Sequence, residues 1–184
     1  MKNVGVLALQ GDFGAHERAL QKAGVRPVEV RTARDLDSCD GLIIPGGEST
    51  TMLKLIGLEN LLEPLRAFAQ SKPVFGTCAG AILLAQEVSS PAQPSLDLMD
   101  IAVERNAYGR QLDSRIAKIE VDGGEMEAVF IRAPIIRRVG PDVRVLASYQ
   151  GTPVWVEQGR YMATTFHPEL GTNSLIHRYF AAKL

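Results

Sequence analysis

Short, unbroken apolar runs alternate with helical stretches through the first half of this chain. The runs are Val4-Gly5-Val6-Leu7-Ala8-Leu9, Gly41-Leu42-Ile43-Ile44 and Pro73-Val74-Phe75, with a fourth strand-like segment at Pro27-Val28-Glu29-Val30. A strand that is apolar on both sides must be covered on both faces, and a helix between two strands supplies the crossover that parallel pairing needs. Asp12 to Ala23 has helical composition and ends at Gly24, while Leu61, Leu62, Leu65 and Phe68 form one apolar helical stripe. These segments predict an α/β fold, with a mainly parallel central sheet between layers of helices.

The pattern changes after the loop Ser89-Ser90-Pro91-Ala92-Gln93-Pro94-Ser95. β-like runs follow at Ile101–Val103, Ile116–Val121, Ala128–Ile131, Val143–Ala147, Val154–Val156 and Met162–Phe166. Turn residues separate them at Asp122-Gly123-Gly124, Gly140-Pro141-Asp142 and Gln158-Gly159. They predict a partly antiparallel extension of the same unit. A closing helix over Ser174–Lys183 would bury Leu175, Ile176, Tyr179 and Phe180. With no repeat or low-complexity tract, residues 1–184 read as a single domain.

Composition excludes several function classes. A net charge of −1 gives no electrostatic footprint for nucleic acid, and Arg137-Arg138 reads as a solvated surface pair. No apolar run reaches the roughly 18 residues of a membrane span, and Val4–Leu9 is too short for a signal segment. Two cysteines, Cys39 and Cys78, make no disulfide framework, so a reduced, cytoplasmic protein is expected. The cysteines and three scattered histidines show no zinc spacing, so neither metal nor cofactor is expected.

The chemistry concentrates at Gly76-Thr77-Cys78-Ala79-Gly80. This segment joins an apolar strand to a helix starting at Ala79, the cysteine counterpart of a nucleophile elbow. Such a turn presents the sulfur at the end of the sheet and aims a helix N-terminus at it. A nucleophilic cysteine needs a base, and the base needs an orienting group. His167, held extended by Pro168, is the best base, and Glu169 at i+2 can turn back to its imidazole. His16 and His177 lie in helices among charged and apolar neighbours and are read as surface or capping residues. Cys39, without a glycine turn, is read as inert. The loop Pro45-Gly46-Gly47-Glu48-Ser49-Thr50-Thr51 carries no nucleotide-binding pattern; its Ser/Thr residues can cap a following helix, and its backbone N–H groups could serve an oxyanion.

Gly-Thr-Cys-Ala-Gly together with His167-Pro168-Glu169 resembles the class I (triad) glutamine amidotransferases, which have a flavodoxin-like three-layer fold. Within them, four stretches resemble the glutaminase subunits of pyridoxal 5'-phosphate synthase: Gly5–Gln10-Gly11, Pro45–Thr51, Val103-Glu104-Arg105-Asn106 through Gln111, and Phe130-Ile131-Arg132-Ala133-Pro134. The resemblance implies hydrolysis of L-glutamine to L-glutamate and ammonia. The ammonia would pass to a (β/α)₈-barrel synthase subunit within a large hetero-oligomer. It implies Cys78 as nucleophile, His167 as acid and base, Glu169 as its orienter, and oxyanion N–H groups at Gly47 and Ala79. Glutamine would be held by Gly47, Glu48, Ser49, Arg105, Ile131 and Arg132. By the same analogy the free subunit has low activity; Gln10, Gly11 and Asp12, near the active-site end of the first strand, are expected to form part of the docking surface. Two other readings share the scaffold: a glutaminase subunit of a different synthase, and a non-catalytic regulatory subunit.

Overall fold

The computed structural model describes residues 1–106 and 114–184. Four strands, β1 (Asn3–Leu7), β2 (Arg26–Val30), β3 (Gly41–Ile44) and β4 (Val74–Thr77), pair in parallel in the order β4-β3-β1-β2. Helices connect them: α1 (Phe13–Lys22) follows β1, while α2 (Ser49–Leu58) and α3 (Leu62–Ala69) follow β3. The sequence stripe at Leu61–Phe68 thus belongs to the second of two helices, separated by a break at Asn60. That residue takes φ 55°, a conformation asparagine tolerates better than most side chains.

Beyond β4 lie the short helix α4 (Ala79–Leu84), β5 (Ala85–Ser89), β6 (Met99–Glu104), β7 (Arg115–Val121), β8 (Gly124–Phe130) and β9 (Ile135–Val139). After these come β10 (Arg144–Tyr149), β11 (Thr152–Gln158), β12 (Tyr161–Thr164) and the final helix α5 (Leu175–Ala181). The chain returns to the main sheet through β12, which pairs in parallel with β4. β11 and β10 then extend that edge antiparallel. The expected extension is therefore split three ways: this edge, a small sheet β5-β6-β9 and a hairpin β7-β8. β5 and β9 escaped the sequence reading because Gln86, Glu87, Arg137 and Arg138 interrupt their apolar pattern. Arg137 and Arg138 are exposed as expected, paired with Glu104 and with Glu87 and Asp100.

Alternation along the strands divides the core. Leu7, Leu42, Ile44 and Val74 face α2, α3 and α4 through Met52, Ile56, Leu65 and Ala81. Val4, Val6, Ile43 and Phe75 face α1 and α5 through Leu20, Ile176 and Phe180. Each fully buried Leu, Ile or Phe contributes about 2 kcal/mol through loss of apolar surface from water. Among the described residues no helix is long and apolar enough to cross a membrane.

Candidate active site

The parallel sheet brings together residues far apart in sequence. Thr77 of β4 is in register with Thr164 of β12, and the Cys78 backbone N–H donates to the Thr164 carbonyl at 2.8 Å. Cys78 and His167 therefore emerge at the same end of neighbouring strands. Cys78 takes φ 50°, ψ −105°, the strained conformation of a sharp strand-to-helix turn. Small neighbours make the turn possible. A Cβ on Gly80 would lie 2.0 Å from the Ile44 carbonyl oxygen, and one on Gly76 would lie 2.5 Å from Gly80.

His167 is tied down by its backbone N–H, which donates to Val129 at 2.8 Å, and opens a 3₁₀ turn over Pro168–Leu170. Its Nδ1 meets Glu169 Oε1 at 2.7 Å, as the i+2 spacing predicts. Burial opposes charge on His167. Hydrogen bonding to Cys78 and to Glu169, with the charges of both, nonetheless carries its pKa up to about 10. Burial likewise pushes the Glu169 pKa up, but His16 nearby and the bond from His167 leave it below its ordinary value. A buried acid whose partners favour the ionised form suits an orienting carboxylate.

In front of Cys78 lies a cavity of about 360 Å³, lined by Gln10, Gly47, Glu48, Ser49, Ala79, Ile82, Arg105, Asn106 and Arg132 as well as Cys78. Ile131 stands beside it, its carbonyl 3.8 Å from Cys78 Sγ. The site residues expected from sequence thus gather at this end of the sheet, those of the cavity and Ile131 around Cys78 and Glu169 bonded to His167. A family model for the SNO glutamine amidotransferase family matches residues 6–184. The chain belongs to the SNO glutamine amidotransferases. It is 58% identical to the pyridoxal 5'-phosphate synthase subunit PdxT of Solibacter usitatus (strain Ellin6076), over 100% of both chains. It is 54% identical to that of Koribacter versatilis (strain Ellin345), over 96% of this chain and 93% of the relative. A crystal structure of a glutamine amidotransferase superposes with a TM-score of 0.92 at 47% identity, covering 98% of this chain and 97% of the other.

In this amidotransferase the glycine loop is braced from two sides. Glu48 is the N-cap of α2: its carboxylate accepts from the Thr50 N–H at 3.1 Å and the Thr51 N–H at 2.6 Å. Burial pushes the Glu48 pKa up, but these bonds carry it below the usual value. Sequence reasoning gave the capping role to the Ser/Thr residues; the longer acid, one position earlier, reaches both N–H groups instead. On the other side, Gln10 Oε1 accepts from the Glu48 N–H at 2.9 Å. Gly47 has φ +148°, and a Cβ there would strike Gln10 Oε1. Arg105 donates to Thr50 Oγ1 at 2.7 Å and lies 3.4 Å from Glu48 Oε1. Asp12, grouped with Gln10 in the sequence reading, caps α1 by accepting from the Ala15 N–H. The distinctive stretch that begins at Val103 continues through Ala107–Gln111, which lie outside the described residues.

Three contributors escaped sequence reasoning. Gln93, in a loop that looked featureless, accepts from Ser49 Oγ at 3.2 Å and Thr50 Oγ1 at 3.4 Å; no local pattern announces it. His16 and His177, read as surface or capping residues, are both fully buried directly behind Glu169. The signal was present: Phe13, His16 and Leu20 share the inward stripe of α1, and His177 lies between Ile176 and Phe180. Cys39 is buried as expected, its thiol donating to the Asp35 carbonyl and its pKa pushed up by burial. Among the described residues, no three His, Cys, Asp or Glu side chains are arranged to hold a metal ion.

Proposed function

We propose that this chain is the glutaminase subunit of a pyridoxal 5'-phosphate synthase and works as one domain over residues 1–184. The carrying observation is the convergence of Cys78, His167 and Glu169 beside a cavity with arginines at its rim. Arg105 and Arg132 suit the α-carboxylate of glutamine, since a guanidinium pairs with a carboxylate through charge-assisted hydrogen bonds. Glu48 and Ser49 border the same cavity and take the remaining polar groups.

The side-chain amide of glutamine then faces Cys78. His167 takes the Cys78 proton, the sulfur adds to the amide carbon, the carbonyl electrons move to oxygen, and the N–H groups of Gly47 and Ala79 hold that oxyanion. One such donor contributes about 10²- to 10³-fold in turnover. Collapse re-forms the carbonyl and breaks the C–N bond as His167 gives its proton to the departing ammonia, leaving a glutamyl thioester. His167 next takes a proton from water, whose oxygen adds to the thioester. The C–S bond breaks, glutamate leaves, and the sulfur is free again. Glu169 keeps the imidazole oriented throughout.

The ammonia passes to a (β/α)₈-barrel synthase subunit in a hetero-oligomer, in the cytoplasm. The loop at Gln10 and Gly11 forms part of the docking surface. A Cβ on Gly11 would lie 1.9 Å from the Gly46 carbonyl oxygen, and Gln10 grips the Glu48 N–H, so displacement there reaches the oxyanion loop. That coupling supports low activity in the free subunit. The test is glutamate release from L-glutamine with and without a synthase subunit, for wild type and Cys78→Ala. Partner-stimulated hydrolysis that disappears in the variant is expected. Failure to hydrolyse glutamine under either condition would overturn the reading.

A further inference from the structure

The chain has three histidines, and all three meet behind Cys78. His167 uses one oxygen of Glu169. The other oxygen, Oε2, is buried with no conventional hydrogen bond, and its near polar neighbour is His16 Nε2 at 3.4 Å. The same His16 nitrogen lies 3.1 Å from Thr77 Oγ1, one residue before Cys78, and His16 Nδ1 lies 3.0 Å from His177 Nε2. His177 Nδ1 is buried and without a partner.

This arrangement selects one set of tautomers. A 3.0 Å contact between two neutral imidazoles requires one donor and one acceptor. If His16 gave its Nδ1–H to His177, His177 would carry a buried N–H with no acceptor. The His16 Nε2 lone pair would also face a carboxylate. With both protons on Nε2, His177 donates to His16 Nδ1, and His16 donates toward Thr77 Oγ1 and Glu169 Oε2 together. The only group then left without a partner is the bare Nδ1 of His177, and buried acceptors are left unsatisfied more readily than buried N–H groups.

We propose that His16 is a positioning residue for the reaction. Its Nε2–H, bonded to Thr77 Oγ1, also lies against the second oxygen of Glu169 and attracts it, His177 fixes the His16 tautomer, and a chain of polar contacts runs from Cys78 through His167, Glu169 and His16 to His177. The proposal rests on the glutaminase reading. Held at one oxygen only, the Glu169 carboxylate could rotate about its terminal bond and let the imidazole turn; held at both, it aims His167 at the sulfur. The groups facing His16 are Asp12 at the cap of its own helix, Thr77 on β4, His177 on α5, and His167 with Glu169 on the 3₁₀ turn. Burial lowers the His16 pKa against the pull of Glu169 and Asp12, so it acts as a neutral donor. Burial takes His177 to about 3.

With only three histidines, ¹⁵N-histidine labelling of the whole chain and long-range ¹H–¹⁵N correlation reads each ring directly. His16 and His177 are expected as Nε2–H tautomers, with neither titrating between roughly pH 6 and 8. In partner-stimulated hydrolysis, His16→Leu is expected to lose about 10- to 100-fold in kcat, as when a functional histidine's outer hydrogen-bond partner is removed at a metal site. Its KM for glutamine should stay within about twofold. His16→Gln, which offers an amide N–H near the lost Nε2, should recover most of the turnover. Wild-type kcat in His16→Leu, or an Nδ1–H tautomer at His16, would overturn the proposal. Should His16→Leu not fold, the wild-type tautomer decides. Absence of turnover in wild type would instead strike the glutaminase reading, which the ring spectra do not depend on.

Discussion

Acid should destabilise this fold through the buried histidines well before its carboxylates titrate. His177 has an ordinary value of 6.5 that burial lowers to about 3 in the native state. Between those limits the unfolded chain takes up a proton that the folded chain refuses. The stability contributed is therefore present above about 6.5 and is lost as pH falls toward 3. Each pH unit in that window costs about 1.4 kcal/mol, so His177 alone accounts for about 2 kcal/mol between pH 6.5 and pH 5. His16, also lowered by burial, adds a loss of the same sign. His167 works the other way. Raised to about 10, its contribution is fully present below about 6.5 and is lost progressively as pH rises from there through 10, so it offsets part of the acid loss near neutral pH and cancels when wild type is compared with a His177 variant. Urea unfolding near pH 7.5, 6.5 and 5 measures the effect. His177→Gln keeps an N–H for His16 and removes the titration. Wild type should lose about 2 kcal/mol more than this variant between the upper and lower pH. Equal losses in the two proteins would refute the reasoning.

Three further outcomes follow from the site. Cys78 has positive φ, so Cys78→Gly should unfold at higher denaturant than Cys78→Ala, by about 1 kcal/mol or more, with both inactive in glutamate release. Gly80→Ala would drive a methyl group against the Ile44 carbonyl, and a loss of about 2 kcal/mol or more is expected in the same unfolding assay. Arg105→Leu removes a guanidinium from the cavity, and KM for glutamine should rise about tenfold or more with kcat less affected, in steady-state kinetics of the complex.

The parallel sheet was legible because its strands are apolar on both sides and too short to be helices. The cysteine turn was legible because close approach of backbone to backbone, at Gly76 and Gly80, leaves glycine in the sequence. His167 and Glu169 could be paired because an extended chain puts i and i+2 on one side. What local pattern could not supply was contact across the fold. His16 and His177 are 161 residues apart and meet only because α1 and α5 cover the same face of the sheet. Gln93 reaches Ser49 from a loop whose composition is ordinary, and Glu48 displaced the expected hydroxyl cap by reach alone. The Leu61–Phe68 stripe is the helix α3, whereas α2, divided from it at Asn60 with positive φ, carries no comparable stripe.

The central claim is that glutamine is hydrolysed through a covalent thioester on Cys78. Intact-mass spectrometry of the chain with its synthase partner, treated with an electrophilic glutamine analogue and followed by peptide mapping, addresses it directly. One adduct per chain, on Cys78, blocked by excess glutamine and accompanied by loss of glutamate release, is the predicted result. An adduct confined to Cys39, or continued glutamate release with Cys78 fully modified, would contradict it.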